Sequence, residues 1–121
     1  MTINVKNIKA SKEFYNGILG FEFLEIVDMG DHKLTYFQIP GGARLELITY
    51  DENIEITTKS TNGGIYRHVA FEATDIKVIE EKMRHAGIEI TLPITKFENL
   101  GCYVLIVNDP NGVEVEFMQK L

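Results

Sequence analysis

The sequence predicts an α+β fold made of two tandem units, each running strand, helix and three strands. Three observations carry the prediction. The stretches IPGGARLELI, Ile39 to Ile48, and DPNGVEVEFM, Asp109 to Met118, share a proline, a turn, an alternating strand and a glutamate in the same place, 70 positions apart. Two segments of helical spacing each end on a glycine and run into a strand. Between the halves lies a polar stretch ending in STNGG, suited to a linker.

The elements follow in order. Ile3 to Val5 reads as a first strand. ASKEFYNGIL, Ala10 to Leu19, places Phe14, Ile18 and Leu19 on one side of a helix, with Ser11 as a candidate cap and Gly20 as the stop. Strands at Phe21 to Val27, Leu34 to Ile39 and Ala43 to Thr49 complete the first unit, divided by the DMGDH and PGG turns. The second unit has strands at Arg67 to Glu72, Ile88 to Ile94, Cys102 to Val107 and Val113 to Met118. Its helix carries Ile76, Ile79 and Met83 on one stripe, starts at Thr74 or Asp75 and ends at Gly87. Pro40, Gly42 and Glu46 match Pro110, Gly112 and Glu116 at an offset of 70, and Asn7 with Ile8 match Asp75 with Ile76 at 68. The expected organisation is one domain, 1–121, made of module 1–50, linker 51–64 and module 65–121.

A chain of 121 residues, 45% hydrophobic and 25% charged, has the composition of a soluble globular domain, and no apolar run approaches the roughly 18 residues of a membrane span. No membrane partner is expected. The start, MTINVKNIKASKEF, resembles neither a secretory signal nor a transit peptide, so a cytoplasmic location is expected. Cys102 is the only cysteine and reads as a small apolar strand residue. A net charge of -6 argues against nucleic acid as a partner, and Lys82 and Arg84 beside Glu80 and Glu81 read as a solvated helix face.

Strand alternation assigns faces. Leu45 and Leu47 face the core, which turns Arg44, Glu46 and Ile48 outward. Val113, Val115 and Phe117 face the helix, which turns Glu114, Glu116 and Met118 away from it. Val69 and Phe71 point inward, leaving His68, Ala70 and Glu72 opposite. Two accounts of this ionisable face stay open. An antiparallel sheet that wets its second face needs nothing more than solubility. Alternatively, one His and two Glu supply nitrogen and oxygen ligands of the kind that bind Ni, Zn, Co, Mn or Fe, although no tight metal-binding spacing such as HxxxH is present.

The segments INVKNIKASKEFYNGILGFEF, ARLELI, YRHVAFEATDI and DPNGVEVEFM together resemble the vicinal oxygen chelate superfamily, which includes glyoxalase I, extradiol dioxygenases, and the fosfomycin and bleomycin resistance proteins. The resemblance implies two βαβββ modules forming a cupped mixed sheet around a metal-binding cavity, often within a homodimer. It implies a divalent metal held by Glu46, His68 and Glu116, with a small molecule as substrate. The family's fourth ligand is usually a first-strand His, and subtracting 68 from His68 lands just before Met1. Three alternatives follow: a natural start upstream, a tag in that place, or three protein ligands with water as the fourth. His32, read as a hairpin turn, and His85, read as an exposed helix residue, are poor substitutes.

What the resemblance implies for function is a metal-dependent carbon-sulfur lyase of the lactoylglutathione lyase type, in which Glu116 is the base and Glu46 a ligand or second base. Alternatives are a bleomycin- or fosfomycin-type resistance protein that binds a small molecule or antibiotic, an extradiol dioxygenase-like oxygenase, and a structural or regulatory homologue with a degenerate site. Arg44 would pair with a substrate carboxylate or phosphonate, or else with a neighbouring Glu. Tyr66, Tyr103 and Met118 are expected on the cavity wall.

Overall fold

The computed structural model describes residues 1–56 and 65–121. Contacts divide the chain into two units, Met1–Thr57 and Thr58–Leu121. The expected linker falls from residue 57 onward outside the described residues. The first unit contains β1 (Thr2–Asn4), α1 (Ile8–Lys12), a π-helical turn (Glu13–Ile18), β2 (Glu22–Asp28), β3 (His32–Gln38) and β4 (Arg44–Tyr50). The second contains β5 (Val69–Glu72), α2 (Ile76–His85), β6 (Ile90–Phe97), a 3-10 turn (Glu98–Leu100), β7 (Cys102–Asn108) and β8 (Glu114–Lys120). The α+β class and the two tandem modules are as the sequence predicts, with one four-stranded sheet in each unit.

Both sheets have the same topology, β1-β4-β3-β2 and β5-β8-β7-β6. Hairpins make the last three strands of each unit antiparallel, whereas the crossover through a helix lets the first strand run parallel to the last. The register reproduces the offsets read from the sequence. Thr2 lies opposite Glu46 and Ala70 lies opposite Glu116, so the first strands correspond at 68 and the last at 70.

The helix starts are equivalent too. Asn7 accepts a hydrogen bond from the Ala10 N–H at 3.1 Å, and Asp75 accepts one from the Val78 N–H at 3.3 Å, each satisfying a donor of the first turn. Ser11, a candidate cap, is instead a buried residue inside α1. The helix begins at Ile8, two residues earlier than the predicted segment from Ala10, because Asn7 supplies the acceptor. One residue more lies between Asn7 and Gly20 than between Asp75 and Gly87. The π-helical turn accommodates it, with the Leu19 N–H bonded to the Phe14 carbonyl, five residues back, at 3.0 Å. Its wider coil buries both Phe14 and Tyr15, whose rings meet edge to face at 4.8 Å.

The β3–β4 and β7–β8 turns close alike. Ile39 N–H donates to the Ala43 carbonyl and Asp109 N–H to the Val113 carbonyl, both at 2.8 Å, and Gly42 and Gly112 take the positive φ values, 113° and 86°, that these turns require. In the second turn Asp109 also accepts from the Asn111 and Val113 N–H groups at 2.8 Å. Ile39 cannot do so, and the Gln38 side-chain amide bridges the first turn by donating to the Ile39 and Ala43 carbonyls.

The core of the first unit includes Phe14, Tyr15, Phe37, Leu45 and Leu47, and that of the second Met83, Leu105, Val107, Val115 and Phe117. α2 packs on β6, β7 and β8 through the face carrying Ile76 and Met83. Cys102 is buried and free at the start of β7. Arg84 lies 3.7 Å from Glu80, whose carboxylate also accepts a hydrogen bond from the Ile94 N–H of β6 at 3.1 Å, so this part of the helix face is not simply solvated. No helix among the described residues is long and apolar enough to cross a membrane.

Each of Leu45→Ala and Leu105→Ala is expected to cost about 2–5 kcal/mol, because each leaves a cavity under its sheet. Asn7→Ala is expected to cost about 1 kcal/mol through the lost cap. Denaturant titration reads both as lower midpoints with unchanged slopes.

Candidate metal and proton-transfer site

In the second unit, β5 lies beside β8, and His68 immediately precedes β5. Burial of Val115 and Phe117 on the α2 side forces Glu116 onto the opposite face. There His68 Nε2 meets a Glu116 carboxylate oxygen, their side chains 24% and 13% exposed. The residues opposite Glu116 on its two neighbouring strands are Ala70 and Ile106. Apolar neighbours leave the carboxylate few competing donors. On the other edge of the imidazole, Nδ1 is buried without a hydrogen-bond partner, and the nearest carboxylate oxygen, from Glu114, lies 3.9 Å away.

This arrangement fits a divalent cation in its donor chemistry. A hydrogen bond between an imidazole nitrogen and a carboxylate holds a proton where two metal-binding groups converge, and a cation competes with that proton for both. Were Nε2 a ligand, the neutral ring would carry its proton on Nδ1, whose nearest carboxylate oxygen is that of Glu114 at 3.9 Å.

In the first unit the matching glutamate has a different partner. Tyr36 lies directly opposite Glu46 across β3 and β4, and its hydroxyl donates to Glu46 Oε2. A β-bulge between Phe23 and Glu25 shifts the register of β2, so that Glu22 and Glu25 pair with Gln38 and Tyr36 on one face. Glu25 thereby comes within 3.8 Å of Arg44, whose guanidinium carbon is 5.8 Å from the centre of the Tyr36 ring. The hydrogen bond to the Glu46 carboxylate, followed by burial, holds the Tyr36 phenol above its ordinary pKa of 10.0.

His68 and Glu116 are brought together as the strand pattern predicts, while Glu46 is held by Tyr36 within its own unit. Among the described residues, no group of three or more His, Cys, Asp and Glu is gathered to hold a metal. His32 is the first residue of β3 rather than a turn residue, and its Nδ1 is engaged by Asp31 at 2.5 Å, which lowers the Asp31 carboxyl pKa. His85 is exposed at the end of α2. Arg44 takes the ion-pair role with Glu25.

Of the expected cavity residues, Met118 shares the Glu116 face, and Tyr66 is exposed ahead of β5. Tyr103 lies opposite Gln119 and alternates with Leu105 and Val107, which puts it on the other face of the sheet. The error comes from a parity that only the β7–β8 register reveals. The strand alternation places Glu114 on this face without giving it a role, and it gives no sign of Tyr36 as a partner of Glu46. Folding β3 onto β4 about the PGG turn pairs Tyr36 with Glu46, and that signal was present in the hairpin spacing.

Raising the pH is expected to ionise one tyrosine later than an ordinary phenol, and Glu46→Gln to bring that titration back down, because the carboxylate charge that opposes phenolate formation is gone. Difference absorbance of the phenolate band, with Tyr36→Phe to assign it, checks both points.

A family model for the Glyoxalase/Bleomycin resistance protein/Dioxygenase superfamily matches residues 1–117. Lactoylglutathione lyases from Neisseria meningitidis serogroups A and B are each 24% identical over 119 residues, 98% of this chain and 86% of theirs. A glyoxalase family protein from Bacillus cereus superposes with a TM-score of 0.85 at 17% identity, covering 100% of this chain and 91% of that one. The trypanothione-dependent glyoxalase I of Leishmania major gives 0.75 at 23% identity, over 98% and 83%. A genomically encoded fosfomycin resistance protein from Listeria monocytogenes gives 0.73 at 20% identity, over 100% and 90%. With the duplicated module, the matched registers and a family match spanning nearly its whole length, the chain belongs to the glyoxalase/bleomycin resistance protein/dioxygenase superfamily.

Proposed function

We propose that the protein is a metal-dependent isomerase of the lactoylglutathione lyase type, acting on the hemithioacetal of a 2-oxoaldehyde and a thiol. The observation that carries this reading is the contact of His68 with Glu116 on the sheet face away from α2. The likeness to lactoylglutathione lyases over nearly the whole chain supports it. Glu46, His68 and Glu116 are proposed as the ligand set for Ni, Zn, Co, Mn or Fe, supplied by one chain or by the two chains of a homodimer.

The reaction moves two protons. One leaves the carbon bearing sulfur and is returned to the neighbouring carbonyl carbon, while the hydroxyl proton passes from the first oxygen to the second. Glu116 is assigned the carbon-bound proton, since Ala70 and Ile106 beside it limit competition from water for its free lone pairs. Glu46 is assigned as ligand or second base, and His68 as a ligand whose orientation Glu114 supports. A bound divalent cation supplies Lewis-acid polarisation of the substrate's two vicinal oxygens.

A second reading is a small-molecule or antibiotic-binding protein of the resistance type. It is favoured by the absence, among the described residues, of a gathered group of three metal donors, and by Arg44, 58% exposed, as an anchor for an anionic ligand. An oxygenase of the extradiol type is less suited to a donor set with two carboxylates and one imidazole.

Elemental analysis of the purified protein is expected to find about one divalent transition metal per site, and His68→Ala to lose it. Glu116→Gln is expected to lower isomerase turnover by about 100-fold or more, with hemithioacetal as substrate. Unchanged turnover at full metal occupancy would remove Glu116 as the base. A protein that neither contains nor takes up metal, yet binds a small anionic ligand, would establish the second reading.

A further inference from the structure

We propose that Tyr36 is a positioning residue for Glu46, holding one carboxylate oxygen so that the other is presented to a divalent cation. The proposal rests on the reading of Glu46 as a metal ligand and extends it to a residue outside the proposed ligand set.

The two units have kept the glutamate and exchanged its partner. In the second unit Ile106 lies opposite Glu116 and offers no hydrogen-bond donor, and His68 meets the carboxylate instead. In the first unit Tyr36 occupies the position corresponding to Ile106, and its hydroxyl donates to Glu46 Oε2. An imidazole can itself bind a cation. A protonated phenol is a poor ligand but a good donor, so Tyr36 orients Glu46 without competing for the metal.

The surroundings hold the tyrosine in place. Arg44 approaches its ring at 5.8 Å and pairs with Glu25 at 3.8 Å. Glu25 reaches this face through the register shift between Phe23 and Glu25. The bulge, Glu25, Arg44, Tyr36 and Glu46 therefore form one continuous line of contacts across β2, β3 and β4. A free glutamate side chain loses rotamer freedom when it ligates a metal, and a carboxylate already fixed at one oxygen loses less.

Tyr36→Phe keeps the ring, its packing and its contact with Arg44, and deletes the hydroxyl alone. Zn2+ or Ni2+ is titrated by calorimetry into metal-stripped wild-type protein, Tyr36→Phe, Glu46→Gln and the double variant, alongside their thermal unfolding. The expected result is metal affinity weakened about 10-fold by Tyr36→Phe at an unchanged unfolding midpoint, with the double variant no weaker than Glu46→Gln. Such non-additivity is what a residue acting through Glu46 produces and a general structural role does not. Full affinity in Tyr36→Phe, or additive losses in the double variant, overturns the role of Tyr36 while leaving Glu46 a ligand. Full affinity in Glu46→Gln, or no binding by the wild type, overturns the ligand reading itself and the proposal with it.

Discussion

The pleat of the two last strands is the constraint on which the rest depends. Leu45 and Leu47 in one unit, Val115 and Phe117 in the other, must leave water. A strand offers only two faces, so the glutamate between each pair is sent to the other. A slip of one residue in either register would turn a carboxylate into the core and expose two apolar side chains. The turns prevent that slip, since both close through the same pair of backbone hydrogen bonds and the same positive-φ glycine. Stability and the placement of the chemical groups are thus one requirement.

From this common frame the units diverge. Glu116 is left between Ala70 and Ile106 and finds its partner in His68, at the entry to the parallel first strand. Glu46 finds a hydroxyl across the hairpin. The register shift in β2 brings Glu25 to the first face, where it pairs with Arg44. Duplication supplied two equivalent carboxylates, and the neighbours made them chemically distinct. One sits against a group able to bind a cation, the other against a donor that can only orient it.

Much of this was legible in the sequence because it follows from local chemistry. The strand alternation, the cap at Asp75 and the hairpin glycines act over a few positions, and the internal repeat let each half check the other. The resemblance of four segments to a known superfamily then identified the family, and the match over residues 1–117 bears it out. Local rules misled where two of them competed. Ser11 is a good capping type, but Asn7 stands where the chain still has extended geometry and so takes the role. The π-helical turn follows from one additional residue between cap and glycine, which lowers the offset from 68 at Asn7 and Asp75 to 67 at Gly20 and Gly87 but has no conformation attached to it.

The sequence by itself determined the α+β class, the doubled strand-helix-three-strand order and the faces on which Glu46, His68 and Glu116 lie, since each follows from periodicities of two or 3.6 residues and from turn residues with restricted backbones. The tertiary structure decided which side chains meet across strands. That depends on register and on a bulge, which change a partner without changing the periodic pattern of either strand. The contact of His68 with Glu116, the approach of Glu114 to its second nitrogen, the pairing of Tyr36 with Glu46 and the placement of Tyr103 on the opposite face all belong to that second category.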